Sequence, residues 1–109
     1  MEAEKLAGLL GLAFRAGHLV PGAEMSLKLI RDKKAQVALL EPQASANTLK
    51  KMRDACNHYG IQVMLLDAGI LGKACGRPGM AAAAVKTGSF ARQLITMNTN
   101  DVADNAAAQ

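Results

Sequence analysis

Aromatic residues are scarce in this chain of 109 residues, which has no tryptophan, one tyrosine and two phenylalanines. A hydrophobic core must therefore be built from Leu, Ile, Val, Met and Ala. Because half of the chain is hydrophobic, a sizeable core is possible. Phe14, Tyr59 and Phe90 fall at positions typical of the core or its edge. The sequence thus offers no aromatic platform of the kind on which proteins stack single-stranded nucleic acid.

Cysteine and the common catalytic motifs are also missing or rare. Cys56 and Cys75 do not form a CxxC pair, and no second Cys/His cluster completes a zinc site. GxSxG, HExxH and the Walker A loop do not occur. His18 follows the end of a helix, and His58 lies near the end of another, where it can favour the helix dipole. We therefore expect no enzyme, no catalytic residue, no metal site and no cofactor.

The chain has no hydrophobic run long enough to span a bilayer. Glu2 and Glu4 precede the first apolar stretch, and this charge is the wrong one for a secretory leader. Two unpaired cysteines fit a reducing compartment. We predict a soluble, cytoplasmic protein that does not associate with membranes and is a monomer.

Positive charge exceeds negative charge, with 13 Lys and Arg against 9 Asp and Glu and a net charge of +4. This balance favours anionic partners such as nucleic acid. Four basic residues fall within EMSLKLIRDKKAQVALL, residues 24–40. Their simplest interpretation is a solvated helix face with local ion pairs, such as Glu24 with Lys28. An anionic partner is the alternative.

Hydrophobic periodicity predicts helices alternating with buried strands. We expect helices at residues 3–16, 22–33, 46–59, 70–75 and 89–97, and strands at 35–41, 61–67 and 80–86. HLVPG is interpreted as an extended link, since Pro21 disfavours a helix at Val20. This order indicates an α/β fold, a three-layer α/β/α sandwich with a central sheet covered on both faces. Residues 1–97 form one domain, and the tail, 98–109, is predicted to be disordered.

Two glycine turns are the first candidates for a binding site. Gly22 precedes the second helix, whose first N–H groups could meet a phosphate. Lys73 and Arg77 flank a second turn in GKACGRPG. Since loops at one end of an α/β sandwich can come together, we expect these turns to be neighbours.

The segments LLGLAFRAGHLVPG, LKLIRDKKAQVALL and LGKACGRPGMAAAAV, in this order, resemble the ribosomal-protein family that binds kink-turn RNA. Within the family, the chain looks like the small bacterial YlxQ-like members, which are associated with translation. The resemblance covers about residues 4–95. It implies a small four-stranded mixed sheet, with HLV as the additional strand. It also implies a non-enzymatic protein that binds structured RNA, ribosomal or otherwise kink-containing, with the ribosome or ribosomal proteins as further partners.

The resemblance also implies where RNA would be contacted: residues 22–28, 41–44 and 76–80. Lys28 and Arg77 would neutralise phosphates with the help of Arg31, and the amides of Gly22 and Ala23 would face a phosphate or a base edge. The complete set of candidate RNA-binding residues is Gly22, Ala23, Glu24, Met25, Lys28, Arg31, Glu41, Gln43, Gly76, Arg77 and Pro78.

Glu24 and Met25 depart from the family pattern, in which Asn is commonly followed by Glu or Gln. Methionine cannot form the hydrogen bonds that read a base edge. Glu24 can accept from a guanine edge but is repelled by nearby phosphates. Two interpretations therefore stay open: a module that binds structured RNA, and a protein-interaction module on the same fold that has lost specific RNA binding.

Overall fold

A computed structural model describes residues 3–97 of the chain. Within this range, five helices and four strands follow one another along the chain. Their bounds are α1 Ala3–Arg15, β1 Leu19–Pro21, α2 Ala23–Arg31, β2 Ala35–Leu40, α3 Ala46–Tyr59, β3 Gln62–Leu65, α4 Ile70–Cys75, β4 Ala82–Lys86 and α5, residues 89–97. The tail predicted to be disordered, 98–109, lies outside the described residues.

The strands form one mixed sheet in the order β1-β4-β2-β3. β2 pairs in parallel with β3 and antiparallel with β4, which in turn pairs antiparallel with β1. The predicted α/β class and the four-stranded mixed sheet are confirmed. The interpretation of HLVPG as a mere link is wrong, because Leu19 pairs with Val85 and makes this short segment an edge strand.

Alternation along the two central strands divides the core into two layers. One face of the sheet packs under α1, α4 and α5, and the other under α2 and α3. The first face presents Val37, Leu39, Ala83 and Val85, and the second presents Ala38, Leu40, Ala82 and Ala84. The three-layer α/β/α sandwich follows from this division.

β3 departs from its prediction as a fully buried strand. It lies at an edge of the sheet, and while Met64 is buried, Leu65 is 61% exposed. An edge strand has a neighbour on one side only, so its apolar sequence does not ensure burial on both faces. β2 lies between two strands and is buried nearly throughout, as predicted.

Local signals set the limits of α3. Ser45 precedes the helix, and its hydroxyl oxygen accepts a hydrogen bond from the Thr48 N–H at 3.1 Å. Ser45 is therefore the cap of α3, and Asn47 lies within the helix. Gly60 ends the helix in the left-handed conformation, with φ of 68°. No helix among residues 3–97 is long and apolar enough to cross a lipid bilayer.

Candidate functional site

A groove of about 430 Å³ opens at one end of the sheet. Three segments form its walls: the start of α2, the loop from β2 to α3, and the turn from α4 to β4. The lining residues are Gly22, Ala23, Gln43, Ala44, Ser45, Thr48, Pro78, Gly79, Met80, Ala81 and Ala82. We call this feature the sheet-end groove. It joins the two glycine turns that the sequence predicted to be neighbours.

Gly22 shapes one wall of the groove through its backbone. Its φ of 96° and ψ of 142° are strained for any residue with a Cβ. Its N–H donates to the Ala82 carbonyl at 2.9 Å, and its own carbonyl accepts from the Ser26 N–H at 3.0 Å. The expectation that the Gly22 amide faces a ligand is therefore wrong, because that amide belongs to the sheet. The N–H groups of residues 23–25 are those that a helix start leaves without intrahelical partners.

The outer face of α2 is exposed and charged. Glu24, Lys28 and Arg31 are all exposed, and Met25 is 56% exposed beside them. Lys28 pairs with Asp32, with Nζ and Oδ2 3.2 Å apart, rather than with Glu24 as the sequence suggested. Since their side chains are 69% and 44% exposed, this ion pair is worth little and an external phosphate can compete for the lysine.

Glu41 lies behind the groove and not on its surface. Its side chain is fully buried, and its carboxylate accepts hydrogen bonds from the N–H groups of Gly69 and Leu71, each at 2.7 Å. Its own N–H donates to the Ala81 carbonyl at 2.9 Å. The residue that the resemblance offered as an RNA contact thus ties the β2–α3 loop to the start of α4 and to the segment before β4.

The buried carboxylate also orients Gln43. The amide nitrogen of Gln43 donates to Oε1 of Glu41. Because a carboxylate only accepts hydrogen bonds, the NH₂ end of the amide must be the one that points inward. The carbonyl oxygen of Gln43 is therefore left to accept a hydrogen bond from a ligand in the sheet-end groove.

The turn between α4 and β4 is folded tightly against the helix that precedes it. Gly76 ends α4 with φ of 64°, and the Arg77 N–H donates to the Gly72 carbonyl at 3.0 Å. A Cβ on Gly72 would lie only 3.1 Å from the Arg77 carbonyl oxygen, so this close approach needs glycine. The guanidinium carbon of Arg77 stands 5.5 Å from the centre of the Phe14 ring on α1. Arg77 therefore points away from the groove, which Pro78 lines.

The structure sorts the predicted contact residues into distinct places. Gly22, Ala23, Gln43 and Pro78 line the sheet-end groove, and Glu24, Met25, Lys28 and Arg31 share the exposed face of α2. Gly76 and Arg77 do not line the groove, and Glu41 is buried. Met80 lies in the segment 76–80 that the resemblance implied, whereas Ser45 and Thr48 line the groove without having been predicted.

Neither cysteine is equipped for nucleophilic chemistry. Both are buried and unpaired, and burial raises the pKa of Cys56 to about 11. Burial also raises the pKa of Cys75, and the nearby charge of Arg77 partly opposes this shift. Among residues 3–97, no three His, Cys, Asp or Glu side chains come close enough to hold a metal ion.

The sequence matches a known protein family over most of its length. The ribosomal protein L7Ae/L30e/S12e/Gadd45 family matches residues 4–95. The chain belongs to this family. The resemblance inferred from the three sequence segments is confirmed, and over the same residues.

Relatives within the L7Ae/L30e/S12e/Gadd45 family include two bacterial proteins. The RNA-binding protein YlxQ of Bacillus subtilis (strain 168) is 38% identical over 90 residues, which are 82% of this chain and 90% of that protein. The RNA-binding protein YlxQ of Enterococcus faecium is 40% identical over 58 residues, 53% of this chain and 56% of that protein.

Two solved structures share the fold of this family member. A Bacillus halodurans protein of unknown function superposes with a TM-score of 0.81 at 33% identity, covering 90% of this chain and 99% of that one. A 15.5kD RNA-binding protein of Giardia lamblia superposes with a TM-score of 0.75 at 16% identity, covering 89% of this chain and 87% of that one. At that identity, the Giardia protein supports the fold alone.

Proposed function

We propose that this protein is a non-enzymatic, cytoplasmic module that binds structured RNA, with kink-turn-like RNA of the ribosome or of the translation apparatus as its target. One observation carries the proposal. The three segments that the family resemblance assigned to RNA form a single groove, in a chain that is 38% identical over 90 residues to a protein named as RNA-binding.

Phosphates would be held at the start and outer face of α2. Lys28 and Arg31 supply positive charge, and the free N–H groups of the first helical turn add the positive end of the helix dipole. A bound phosphate would replace Asp32 as the ion-pair partner of Lys28. These contacts fix the position of an RNA but do not read its sequence.

The sheet-end groove would receive an unstacked nucleotide. Proteins read RNA mainly at bulges and splayed bases, because the major groove of an A-form helix is too narrow for side chains. The walls are mostly backbone, alanine and glycine, which leave room for a base, and Pro78 and Met80 supply apolar surface. The carbonyl oxygen of Gln43 would accept from an amino or imino group on the base edge.

Glu24 and Met25 would weaken selectivity without abolishing binding. Met25 offers an apolar contact to a sugar or a base face but no hydrogen bond to a base edge. Glu24 can accept a hydrogen bond from guanine. We therefore expect the preference for kinked RNA over other structured RNA to be modest.

The test is binding to a labelled kink-turn RNA and to a plain duplex of equal length, both at ~150 mM salt. Lys28→Ala should weaken binding to every RNA and make the plot of log affinity against log salt shallower by about one unit. The matched control is Lys50→Ala, because Lys50 forms the same type of exposed i,i+4 ion pair, with Asp54 at 2.9 Å, on α3. That variant should bind like the parent protein.

Preference for the kinked RNA supports the proposal in full. Equal, weak and salt-sensitive binding to both RNAs would leave only a basic surface and exclude kink recognition. Absence of RNA binding at ~150 mM salt would refute the proposal and favour a protein-interaction module on this fold. Co-sedimentation with ribosomal subunits tests the association with translation separately.

A further inference from the structure

A second groove, of about 330 Å³, runs between α1 and α4. Its lining residues are Glu4, Ala7, Gly8, Gly11, Arg15, Lys73 and Ala74. The helices cross closely here, since a Cβ on Gly11 would lie 3.4 Å from the Ala74 carbonyl oxygen. Small residues thus form the floor, and charged side chains stand at the walls. We call this feature the α1–α4 seam.

Two cations line the α1–α4 seam, and a third stands beside it over α1. Arg15 reaches back over Gly11, with its Nη1 atom 3.5 Å from the position of a Cβ there. Lys73 lines the same groove, and Arg77 stands over the ring of Phe14, the residue that precedes Arg15. All three cations are exposed.

Among residues 3–97, no carboxylate lies within ion-pair distance of these cations. The ion pairs formed between residues 3 and 97 are those of Lys28 with Asp32 and Lys50 with Asp54. Within residues 3–97, the seam is lined by one acidic residue, Glu4, and by two basic residues. Among the described residues the seam thus carries an excess of positive charge, which attracts a polyanion.

The turn from α4 to β4 connects a wall of the seam to a wall of the sheet-end groove, because α4 lines the seam and the turn that follows it lines the groove. Pro78 lines the sheet-end groove, while its neighbour Arg77 points to the opposite side, over α1. A chain of phosphates that leaves the sheet-end groove across this turn would meet Arg77 first, and then Lys73 and Arg15.

We infer that the α1–α4 seam is a second RNA-contacting surface, on which Arg15, Lys73 and Arg77 hold the phosphate backbone of a double-stranded arm that extends from the RNA bound in the sheet-end groove. This inference rests on the proposed function. A backbone contact fits the seam better than base reading. Its uncharged lining residues are alanine and glycine, which carry no group to read a base edge. The ring of Phe14, on the same helix as Arg15, is covered by Arg77.

The test compares the parent protein with the double variant Arg15→Gln/Lys73→Gln on two RNAs that share the kinked core. One RNA carries an extended duplex arm, and the other has that arm trimmed to the core. Both substituted residues are exposed, so the fold should persist, and thermal unfolding checks this. The control double variant Lys34→Gln/Arg53→Gln removes the same charges at exposed positions outside the seam.

With the extended RNA, the seam variant should bind more weakly than the control and should lower the salt slope by about two units, one for each lost phosphate contact. With the trimmed RNA, both variants should bind like the parent. Equal effects of the two variants, or an equal loss on both RNAs, would overturn the inference while leaving the proposed function in place. If the parent bound neither RNA, the proposed function would fail and the inference would fail with it.

Discussion

Replacing Glu41 with glutamine should strongly destabilise the protein, although the substitution changes a single polar atom. One carboxylate oxygen, Oε1, serves the Gly69 N–H and the Gln43 amide, and the other, Oε2, serves the Leu71 N–H. A glutamine at position 41 can keep its oxygen facing Gly69 and Gln43 only by placing its NH₂ group against the N–H of Leu71. The variant therefore leaves a buried backbone donor facing another donor.

The magnitude follows from the bonds lost. A buried donor without a partner costs about 1–3 kcal/mol, and the remaining two bonds lose their charge assistance, about 1 kcal/mol each. Part of this cost is offset because the variant no longer has to bury a charged carboxylate. We expect a net loss of about 2–4 kcal/mol from the free energy of unfolding, and a melting temperature lower by roughly 10–20 °C.

Urea unfolding and thermal unfolding followed by circular dichroism measure this loss, and amide hydrogen exchange at Gly69 and Leu71 locates it. The control is Glu24→Gln, an exposed position where the change should stay within about 0.5 kcal/mol. The reasoning is refuted if Glu41→Gln unfolds within about 1 kcal/mol of the parent and exchange at both amides is unchanged.

Three further predictions concern the backbone and the core. Gly22→Ala should lower the free energy of unfolding by about 1–3 kcal/mol through backbone strain at φ 96°. A clash is not the cause, because no atom lies within 4 Å of the Cβ position. Gly8→Ala, in equally open space within α1, should instead raise the free energy of unfolding by about 0.5–1 kcal/mol, and urea unfolding measures both changes. Lys33→Gly should raise the free energy of unfolding by about 0.5 kcal/mol, because Lys33 is held at φ 60°, whereas Lys34→Gly should lower it. Burial raises the pKa of Cys56 to about 11, so the unfolded thiol releases its proton at lower pH than the folded one, and the free energy of unfolding should fall as pH rises from about 9 towards 11. Urea titrations of the parent and of Cys56→Ala should therefore diverge by roughly 2 kcal/mol between pH ~8 and pH ~10.5, and parallel curves would contradict this assignment.

Periodicity predicted the elements well because most of them bury one or both faces in the core. The prediction of a strand at MAAAAVK is an instructive case, since its alanines favour a helix in isolation. Ala82–Lys86 becomes a strand because it fills the space between β1 and β2, where small side chains let helices pack on both sides. The same tertiary context made Leu19–Pro21 a strand, and a segment of three residues carries too little pattern to indicate this alone.

The candidate site was less predictable, because much of it is made of backbone. The fixed carbonyl of Gln43 depends on Glu41, and Glu41 in turn depends on amides 28 and 30 residues further along the chain. No local pattern encodes such contacts. From its sequence context alone, Glu41 would be predicted to be an exposed acidic residue in a loop. Glu41 ties the β2–α3 loop to the start of α4 and to the segment before β4, which explains how two walls of a groove lined mainly by glycine and alanine can hold their shape. It follows that substitutions behind this groove should affect ligand binding as strongly as substitutions on its surface.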